Sequence, residues 1–197
     1  MYRLDRNKPR GKFRLSFPDV SDFLKRDGFN FKSFVFEWLK SLLEAVGIVL
    51  LLFVFCWPLR INGRSMEPTF SSRDRVVISR MQVFFNSISA DDVVVCKIIE
   101  EGEEIVILKR IVAVPGDKVE IIEGKVFINS KLLQEDYVYF DSDFYLDEVV
   151  LGDKQYFLMG DNRELSIDSR HVGSVNAENI IGRVILRWYP FYNFEFF

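Results

Sequence analysis

The chain has 197 residues, enough for one domain and an additional segment, and 49% of them are hydrophobic, an ordinary fraction for a folded protein. Its formal net charge of −3 excludes the strongly basic character that general nucleic-acid binding requires. The single histidine, His171, argues against a zinc enzyme, because catalytic zinc normally needs two or three histidines with a carboxylate or cysteine. We therefore expect no metal, no cofactor and no nucleic-acid partner. Cys56 and Cys96 lie in apolar or strand-like runs and are expected to be small buried side chains rather than a disulfide.

Residues 1–37 are predicted to form a cytosolic segment with a basic N-terminus. Six lysine and arginine residues fall within residues 1–14, where the only acidic residue is Asp5. Positive charge next to an apolar run marks the side of a membrane that faces the cytosol. The charge pattern therefore predicts a cytosolic N-terminus.

An apolar run follows and predicts a membrane anchor over residues 38–59. The thirteen uncharged, mostly large apolar residues of Ala45–Trp57 are few for a membrane span and would suit a buried helix or a signal-peptide core. Extension to residues 41–59 gives 19 residues in which Glu44 is the only charge, and Glu44 can pair with Lys40 one helical turn away. The longer stretch is sufficient for a span.

A cleavable signal peptide is the main alternative for this segment. It would need a short basic region before the apolar core and a small-x-small cleavage site after it. Here about forty residues precede the core, and the sequence Trp57-Pro58-Leu59-Arg60 ends it. We therefore expect the anchor to stay attached, with residues 60–197 on the outer side of the membrane.

Residues 60–197 are predicted to form a mainly β domain. Short β-branched runs separated by Gly, Asp, Asn or Pro are typical of strands, and Glu123-Gly124 between two such runs predicts a hairpin turn. No comparably long segment has the helical period of 3.6. The predicted strands are Val76–Ile78, Val93–Ile99, Ile105–Val114, Val119–Ile122, Val126–Asn129 and Ile180–Trp188.

Ser65, a few residues beyond the predicted anchor, is a candidate nucleophile. It lies in the sequence Asn62-Gly63-Arg64-Ser65-Met66-Glu67-Pro68-Thr69. The glycine and the proline can shape a turn with exposed backbone N–H groups around a reactive hydroxyl. Most Gly-x-Ser segments are plain turns, however, and this segment alone favours that interpretation.

Lys109 is a candidate general base because it interrupts an apolar, strand-like run. Strand alternation places it on the same face as Ile107, Ile111 and Ala113, while Arg110 faces the other way. Burial on that face would lower the pKa of the lysine, and a neutral amine can take a proton from a hydroxyl. The alternative, which this segment alone favours, is a lysine at a sheet edge whose ammonium reaches water.

A third segment, Gly160–Gly173, is dense in polar residues and has a glycine at each end. Asp168 and Arg170 can form an ion pair in it, and Ser166 can orient an amine. Taken alone, the segment favours a solvated surface loop.

Together these segments resemble the bacterial type I signal peptidases (leader peptidases), which are serine proteases with a Ser-Lys dyad. A weaker match, Asp92-Val93-Val94-Val95, is similar to the family's Asp-Ile-Val-Val strand. The resemblance implies a single-pass endopeptidase of the bacterial inner membrane with its catalytic domain outside. Its partners would be membrane lipid and secretory preproteins, whose signal peptides it would remove by cutting after small residues. The main motifs are Ser-Met-Glu-Pro-Thr at 65–69, Lys-Arg-Ile-Val-Ala-Val-Pro-Gly-Asp at 109–117 and Gly-Asp-Asn-Arg-x-x-Ser-x-Asp-Ser-Arg at 160–170.

The resemblance also implies a role for each matching residue. Ser65 matches the nucleophile, Lys109 the general base, and Ser166 the serine that hydrogen-bonds the lysine. The other implied roles are an ion pair between Asp168 and Arg170, a pair between Asp161 and Arg110, an oxyanion-hole donor at the Ser65 backbone N–H and a substrate groove lined by Met66.

Gly63 departs from those family members that have a serine two residues before the nucleophile. That serine adds a second oxyanion donor, whereas a glycine offers only its backbone or a bound water. One such donor is typically worth about 2.7–4 kcal/mol where it is used, so we expect an alternative second donor. His171 lies at a position that the family does not fix, and we expect a surface or packing residue rather than a triad with Ser65 and Asp168.

The C-terminal tail leaves two interpretations open. Residues 187–197 contain seven aromatic side chains. They predict either a surface that rests on lipid or a last strand that packs on the core.

Two other functions also remain open at this point. A Ser-Lys peptidase that cleaves itself or a regulator would be soluble, and a repressor of that kind would have a DNA-binding domain in place of the anchor. A non-catalytic, membrane-tethered β domain that binds exported partners would have no need of Ser65, Lys109 and Ser166, all of which are intact.

Overall fold

A computed structural model describes residues 31–85, 87–100, 102–139 and 142–197, apart from the side chains of Leu51, Leu52 and Val54. The chain divides between Val49 and Leu50 into two compact units. The predicted basic N-terminus, residues 1–14, lies outside the described residues, as does most of the predicted cytosolic segment 1–37.

One long helix, α1, extends over Phe31–Phe55. It overlaps the anchor predicted at residues 38–59 but ends earlier, and Cys56–Arg60 forms a strand, β1. Pro58 accounts for the difference, because proline lacks a backbone N–H and disfavours helical geometry in the residue before it. Within the described part of the chain, no helix is both long enough and apolar enough to cross a membrane.

The second unit is built around an antiparallel sheet of eight strands. They are β1 Cys56–Arg60, β2 Arg75–Ser79, β3 Val93–Glu100, β4 Glu103–Ala113, β9 Gln155–Met159, β10 Val175–Asn176, β11 Ile180–Tyr189 and β12 Glu195–Phe196. The order across the sheet is β1-β2-β11-β3-β4-β9-β10, and β12 pairs with β11. In this order β4 is a central strand and β1 is an edge strand.

A second antiparallel sheet has four strands. They are β5 Lys118–Ile122, β6 Lys125–Ile128, β7 Lys131–Leu132 and β8 Leu146–Val150, in the order β7-β6-β5-β8. The hairpin predicted between β5 and β6 is present, and both turn residues, Glu123 and Gly124, have the positive φ angles of a type I′ turn. Two short helices, α2 Met81–Phe84 and α3 Ser169–Val172, and two 3₁₀ turns, Ala177–Asn179 and Phe191–Asn193, complete the unit.

The prediction of a mainly β domain is confirmed, since a strand lies at each of the six predicted positions. Sequence pattern missed β9, which is buried at four of its five positions and so shows no alternation to detect. It also missed β8 and the shorter strands. Cys56 and Cys96 are both free thiols; Cys96 is buried, as predicted, whereas Cys56 is only half-buried.

Buried side chains cover both faces of the large sheet. Val95 and Leu108 belong to one core cluster, and their neighbour Val94 belongs to a second on the opposite face, as the strand period of two requires. A third cluster joins the two sheets through Phe157 and Val119. As a result β4 is buried on both faces over its last six residues.

The C-terminal tail is partly packed and partly exposed. Phe197 stacks on Phe70 with 4.7 Å between ring centres and packs against the first core cluster, which agrees with the packing interpretation. Phe191, Tyr192 and Phe196 are exposed.

Candidate active site

Ser65 lies in a turn between β1 and β2 that buried neighbours hold in place. Met66 and Phe70 are 2% and 0% exposed, and the Phe70 backbone N–H donates to the Met66 carbonyl at 2.8 Å. The backbone N–H of Asn162 donates to the Ser65 carbonyl at 3.0 Å. Gly63 precedes the serine with a φ of +110°, which L side chains rarely adopt. The Ser65 backbone is thus held from the core on one side and from the 160–170 loop on the other.

The structure brings Lys109 to Ser65. Lys109 Nζ lies 2.7 Å from Ser65 Oγ, and the lysine is 2% exposed. Burial lowers the pKa of Lys109, and the nearby Asp168 carboxylate opposes that shift only in part. The two groups therefore have the geometry for proton transfer, and the lowered pKa increases the fraction of Lys109 that is neutral.

The 160–170 loop is organised around Asp168. Arg170 Nε donates to Asp168 Oδ1 at 2.8 Å, and the Gly160 backbone N–H donates to Asp168 Oδ2 at 3.0 Å. Burial alone would raise the pKa of Asp168, but hydrogen bonds and the positive charge of Arg170 outweigh it and hold the pKa below its usual range. Asp168 therefore stays ionised in the interior, next to the arginine with which it was expected to pair.

Ser166 has a different partner from the one expected. Its hydroxyl donates to Asp168 Oδ2 at 2.6 Å, and no hydrogen bond among the described residues joins Ser166 to Lys109. A Cβ at Gly160 would lie 2.3 Å from Ser166 Oγ and 2.5 Å from the Ser65 carbonyl oxygen. Ser166 and Ser65 thus flank Gly160 closely, and the hydrogen bond to an ionised carboxylate is a strong one that leaves Ser166 Oγ able to accept a further hydrogen bond. Orientation of Lys109 by Ser166 stays a prediction.

Arg110, next to the candidate base, pairs with Asp161. Its Nε donates to Asp161 Oδ1 at 2.9 Å and its Nη2 to Oδ2 at 2.6 Å, and Asp161 is fully buried. Oδ2 also accepts the Thr69 hydroxyl at 2.5 Å. The bidentate pair neutralises the buried Asp161 carboxylate. Through Thr69, Asp161 also connects the turn that contains Ser65 to the 160–170 loop.

Several residues in this network received no role from the sequence. Arg163 Nε donates to the Gly160 carbonyl at 3.0 Å, and its guanidinium pairs with Glu135. Thr69, Asn162 and Arg163 lie within the sequence motifs that resemble the family, so a role in the site could have been predicted for them. Glu135 and Tyr137 lie outside every motif, and nothing in the sequence pointed to them.

His171 does not join Ser65 and Lys109. Its side chain is 48% exposed, its Nδ1 lies 3.9 Å from Asp168 Oδ1, and its ring centre is 5.6 Å from that of Phe144. Among the residues that the structure describes, no three His, Cys, Asp or Glu side chains cluster closely enough to hold a metal ion.

A groove of about 250 Å³ contains Ser65 and Lys109. One wall comes from residues 59–66, including Gly63 and Met66, and the other from residues 106–109. The wall of residues 106–109 has an open strand edge, because β4 pairs with β9 only from Arg110 onwards, whereas the first wall consists of the end of β1 and the turn that follows it. A larger cavity of about 440 Å³ around Tyr156 includes neither Ser65 nor Lys109. The candidate active site is therefore identified by its reactive side chains and not by the volume of its cavity.

Comparison with known proteins identifies the family. The sequence model described as "Signal peptidase, peptidase S26" matches residues 35–189. Signal peptidase I S of Bacillus subtilis (strain 168) is 32% identical over 182 residues, which cover 85% of this chain and 96% of that protein. Signal peptidase IB of Staphylococcus aureus (strain COL) is 30% identical over 185 residues, which cover 83% of this chain and 94% of that protein. The chain therefore belongs to the signal peptidase family, peptidase S26.

A similarity of comparable identity, over a shorter stretch, extends to plants. The probable thylakoidal processing peptidase 2 of Arabidopsis thaliana is 35% identical over 139 residues, which cover 68% of this chain but only 38% of the plant protein. Family membership makes the chain a serine endopeptidase of the type I signal peptidase class, which removes signal peptides from preproteins.

Proposed function

We propose that Ser65 is the nucleophile and Lys109 the general base with which this signal peptidase works. The observation that supports the proposal is the 2.7 Å distance between Ser65 Oγ and the Nζ of a buried lysine. A lysine with the ordinary pKa of about 10.4 is neutral in roughly one molecule in a thousand near pH 7. Burial lowers the pKa of Lys109 and so enlarges the neutral, proton-accepting fraction.

In the acylation step, neutral Lys109 takes the Ser65 hydroxyl proton while Ser65 Oγ attacks the scissile carbonyl carbon. A tetrahedral intermediate forms with one new C–O bond and a negative charge on the carbonyl oxygen. As the C–N bond breaks, the Lys109 ammonium gives its proton to the leaving amine. The products are the mature protein with a free amino terminus and an ester between Ser65 and the signal peptide.

In the deacylation step, Lys109 is neutral again and takes a proton from a water molecule. The resulting hydroxide attacks the ester carbonyl, and the Lys109 ammonium returns the proton to Ser65 Oγ as the ester bond breaks. Enzyme and protonation states are then restored, and no histidine takes part.

The backbone N–H of Ser65 is the proposed oxyanion donor. It has no hydrogen-bond acceptor within the described part of the chain, and it belongs to the residue that attacks the carbonyl. A preorganised donor of this kind lowers the free energy of the charged intermediate more than that of the neutral substrate. Gly63, two residues earlier, can add only a backbone group or a bound water.

The groove favours an extended peptide as substrate. One wall contains the open edge of β4, and an extended peptide that pairs with this edge satisfies its backbone groups. Leu59, Val106 and Leu108 give the groove an apolar lining. A volume of about 250 Å³ must hold main chain as well as side chains, which favours small residues at the positions that point into it.

The direct test is cleavage of a purified preprotein by the detergent-solubilised chain. Ser65→Ala and Lys109→Ala should both be folded and inactive. Two exposed residues supply matched controls, and Ser72→Ala and Lys131→Ala should keep wild-type activity. Full activity of Lys109→Ala would show that another group is the base, and full activity of Ser65→Ala would exclude the proposed nucleophile.

We also propose that the helical part of the predicted anchor, residues 38–55, holds the enzyme at the bacterial inner membrane, with a cytosolic N-terminus and the chain from β1 onwards outside. Support comes from the apolar run in the sequence and from the exposed large apolar side chains of α1, such as Trp38, Leu43 and Leu50. Alkaline extraction of membranes should leave the full chain in the pellet, and protease added outside spheroplasts should digest the catalytic domain. Recovery of the chain in the soluble fraction would refute membrane attachment.

A further inference from the structure

A tyrosine outside all of the sequence motifs covers one of the arginines of the active site. The ring centre of Tyr137 lies 4.0 Å from Arg110 Cζ, well within the roughly 6 Å over which an aromatic face attracts a cation. The Tyr137 hydroxyl donates to Glu135 at 2.8 Å, and Glu135 pairs with Arg163. The hydrogen bond of its hydroxyl to Glu135 therefore holds the Tyr137 ring in place.

Arg110 leads from this tyrosine to the nucleophile. Its two hydrogen bonds to Asp161 fix a carboxylate that also accepts the Thr69 hydroxyl, four residues after Ser65. The residue after Asp161, Asn162, donates its backbone N–H to the Ser65 carbonyl. The Arg110–Asp161 pair thus fixes two points of the Ser65 turn, one through a side chain and one through the backbone.

Water would weaken this arrangement. An ion pair is stronger in a medium of low dielectric constant, and water competes with both partners for hydrogen bonds. The ring of Tyr137 occupies one face of the Arg110 guanidinium, where water would otherwise have access. A displacement of about 1 Å at a reacting group is enough to slow a reaction about 100-fold.

We propose that Tyr137 is a positioning residue of the peptidase reaction, whose ring shields the Arg110–Asp161 pair and so holds Ser65 in its reactive position. This inference rests on the proposed function, because it takes Ser65 as the nucleophile. Tyr137 does not line the groove that contains Ser65 and Lys109, and neither does Asp161. Loss of the ring should therefore slow the chemical step and leave substrate binding nearly unchanged.

The experiment compares Tyr137→Leu, Tyr137→Met and Tyr137→Phe in the detergent-solubilised full chain, with preprotein as substrate. Circular dichroism and thermal melts establish that each variant is folded at the assay temperature. Tyr139→Leu is the matched control, because Tyr139 lies two residues away and is 77% exposed. Ser65→Ala in the same assay reports separately on the proposed nucleophile.

We expect Tyr137→Leu and Tyr137→Met to lower kcat about tenfold or more with KM within about twofold of wild type. Tyr137→Phe keeps the ring and should restore most of kcat, and Tyr139→Leu should match wild type. The proposal is overturned if both ring-deleting variants keep wild-type kcat, if Tyr137→Phe is as slow as Tyr137→Leu, or if the loss lies in KM. Failure of both ring-deleting variants to fold would also overturn it, because Tyr137 would then serve the fold. Cleavage of the preprotein by Ser65→Ala would instead refute the proposal that Ser65 is the nucleophile.

Discussion

Replacement of Gly160 by alanine tests how closely the reactive groups are packed. The added Cβ would lie 2.5 Å from the Ser65 carbonyl oxygen and 2.3 Å from Ser166 Oγ, with the Ser166 Cβ at 2.6 Å. Separations under 3.0 Å are essentially never seen for real Cβ atoms, so these neighbours must shift. Rotation can move the Ser166 hydroxyl but not its Cβ, so relief requires backbone movement both at Ser166 and at the carbonyl of the proposed nucleophile, Ser65.

The expected effect has two parts. To reach an ordinary contact of 3.4 Å, the Ser65 carbonyl must retreat by about 0.9 Å, a displacement that can slow a reaction on the order of 100-fold. Overpacking of a well-packed interior also costs about 1–3 kcal/mol in the free energy of unfolding. We therefore expect Gly160→Ala to fold with reduced stability and to lose about 100-fold in kcat.

The assay is preprotein cleavage under single-turnover conditions, accompanied by urea unfolding. Gly182→Ala is the matched control, because its Cβ would also meet backbone, the Ser79 carbonyl oxygen at 2.9 Å, but on β11 rather than beside Ser65. The control should lose stability and keep its cleavage rate. Wild-type cleavage by a folded Gly160→Ala, or equal rate losses in both variants, would refute the link between this contact and catalysis.

Three further outcomes follow from the charges and packing around the site. Asp168→Asn should move the acid limb of the pH profile of kcat/KM to lower pH. The reason is that the Asp168 carboxylate raises the pKa of Lys109, whereas the Arg170 charge lowers it. A profile whose acid limb stays at the same pH would contradict this prediction. Asp168, whose own pKa is lowered in the folded state, should stabilise the wild type above the unfolded-state value of about 3.9 and lose that contribution as pH falls through the lower folded pKa. Thermal melts of Asp168→Asn should accordingly depend less on pH in that acidic range, and a parallel pH dependence would refute the assignment. Phe197→Ala should lower the free energy of unfolding, measured by urea titration, by about 1–2 kcal/mol, because apolar burial is lost. Replacement of the exposed Phe191 by alanine should leave the free energy of unfolding unchanged. Equal effects of the two substitutions would refute the packing role of Phe197.

The β character of the catalytic domain was predictable from local sequence pattern, and the residues of the candidate dyad were predictable from the resemblance to a known family. Strand alternation placed Lys109 on one face with Ile107 and Ile111, because the side-chain period of a strand is a local property. That segment alone favoured a lysine that reaches water, however, and burial of Lys109 became evident only in the structure. The order and composition of three motifs were enough to indicate the family, since those motifs are specific in combination. The glycine-containing hairpin between β5 and β6 was likewise predictable from local turn chemistry.

Contacts between residues far apart in the chain were not predictable from local sequence. Ser65 and Lys109 are 44 residues apart, and their 2.7 Å contact depends on how the turn after β1 meets β4, since β1 and β4 are not neighbours in the sheet. The hydrogen bond from the Ser166 hydroxyl to Asp168 was not predicted either, because it depends on where the folded chain places the carboxylate. The cover of Tyr137 over Arg110 has no local signature at all. Local sequence sets periodicity and turn geometry, whereas hydrogen-bond partners in a packed interior are set by all of the chain segments that meet there.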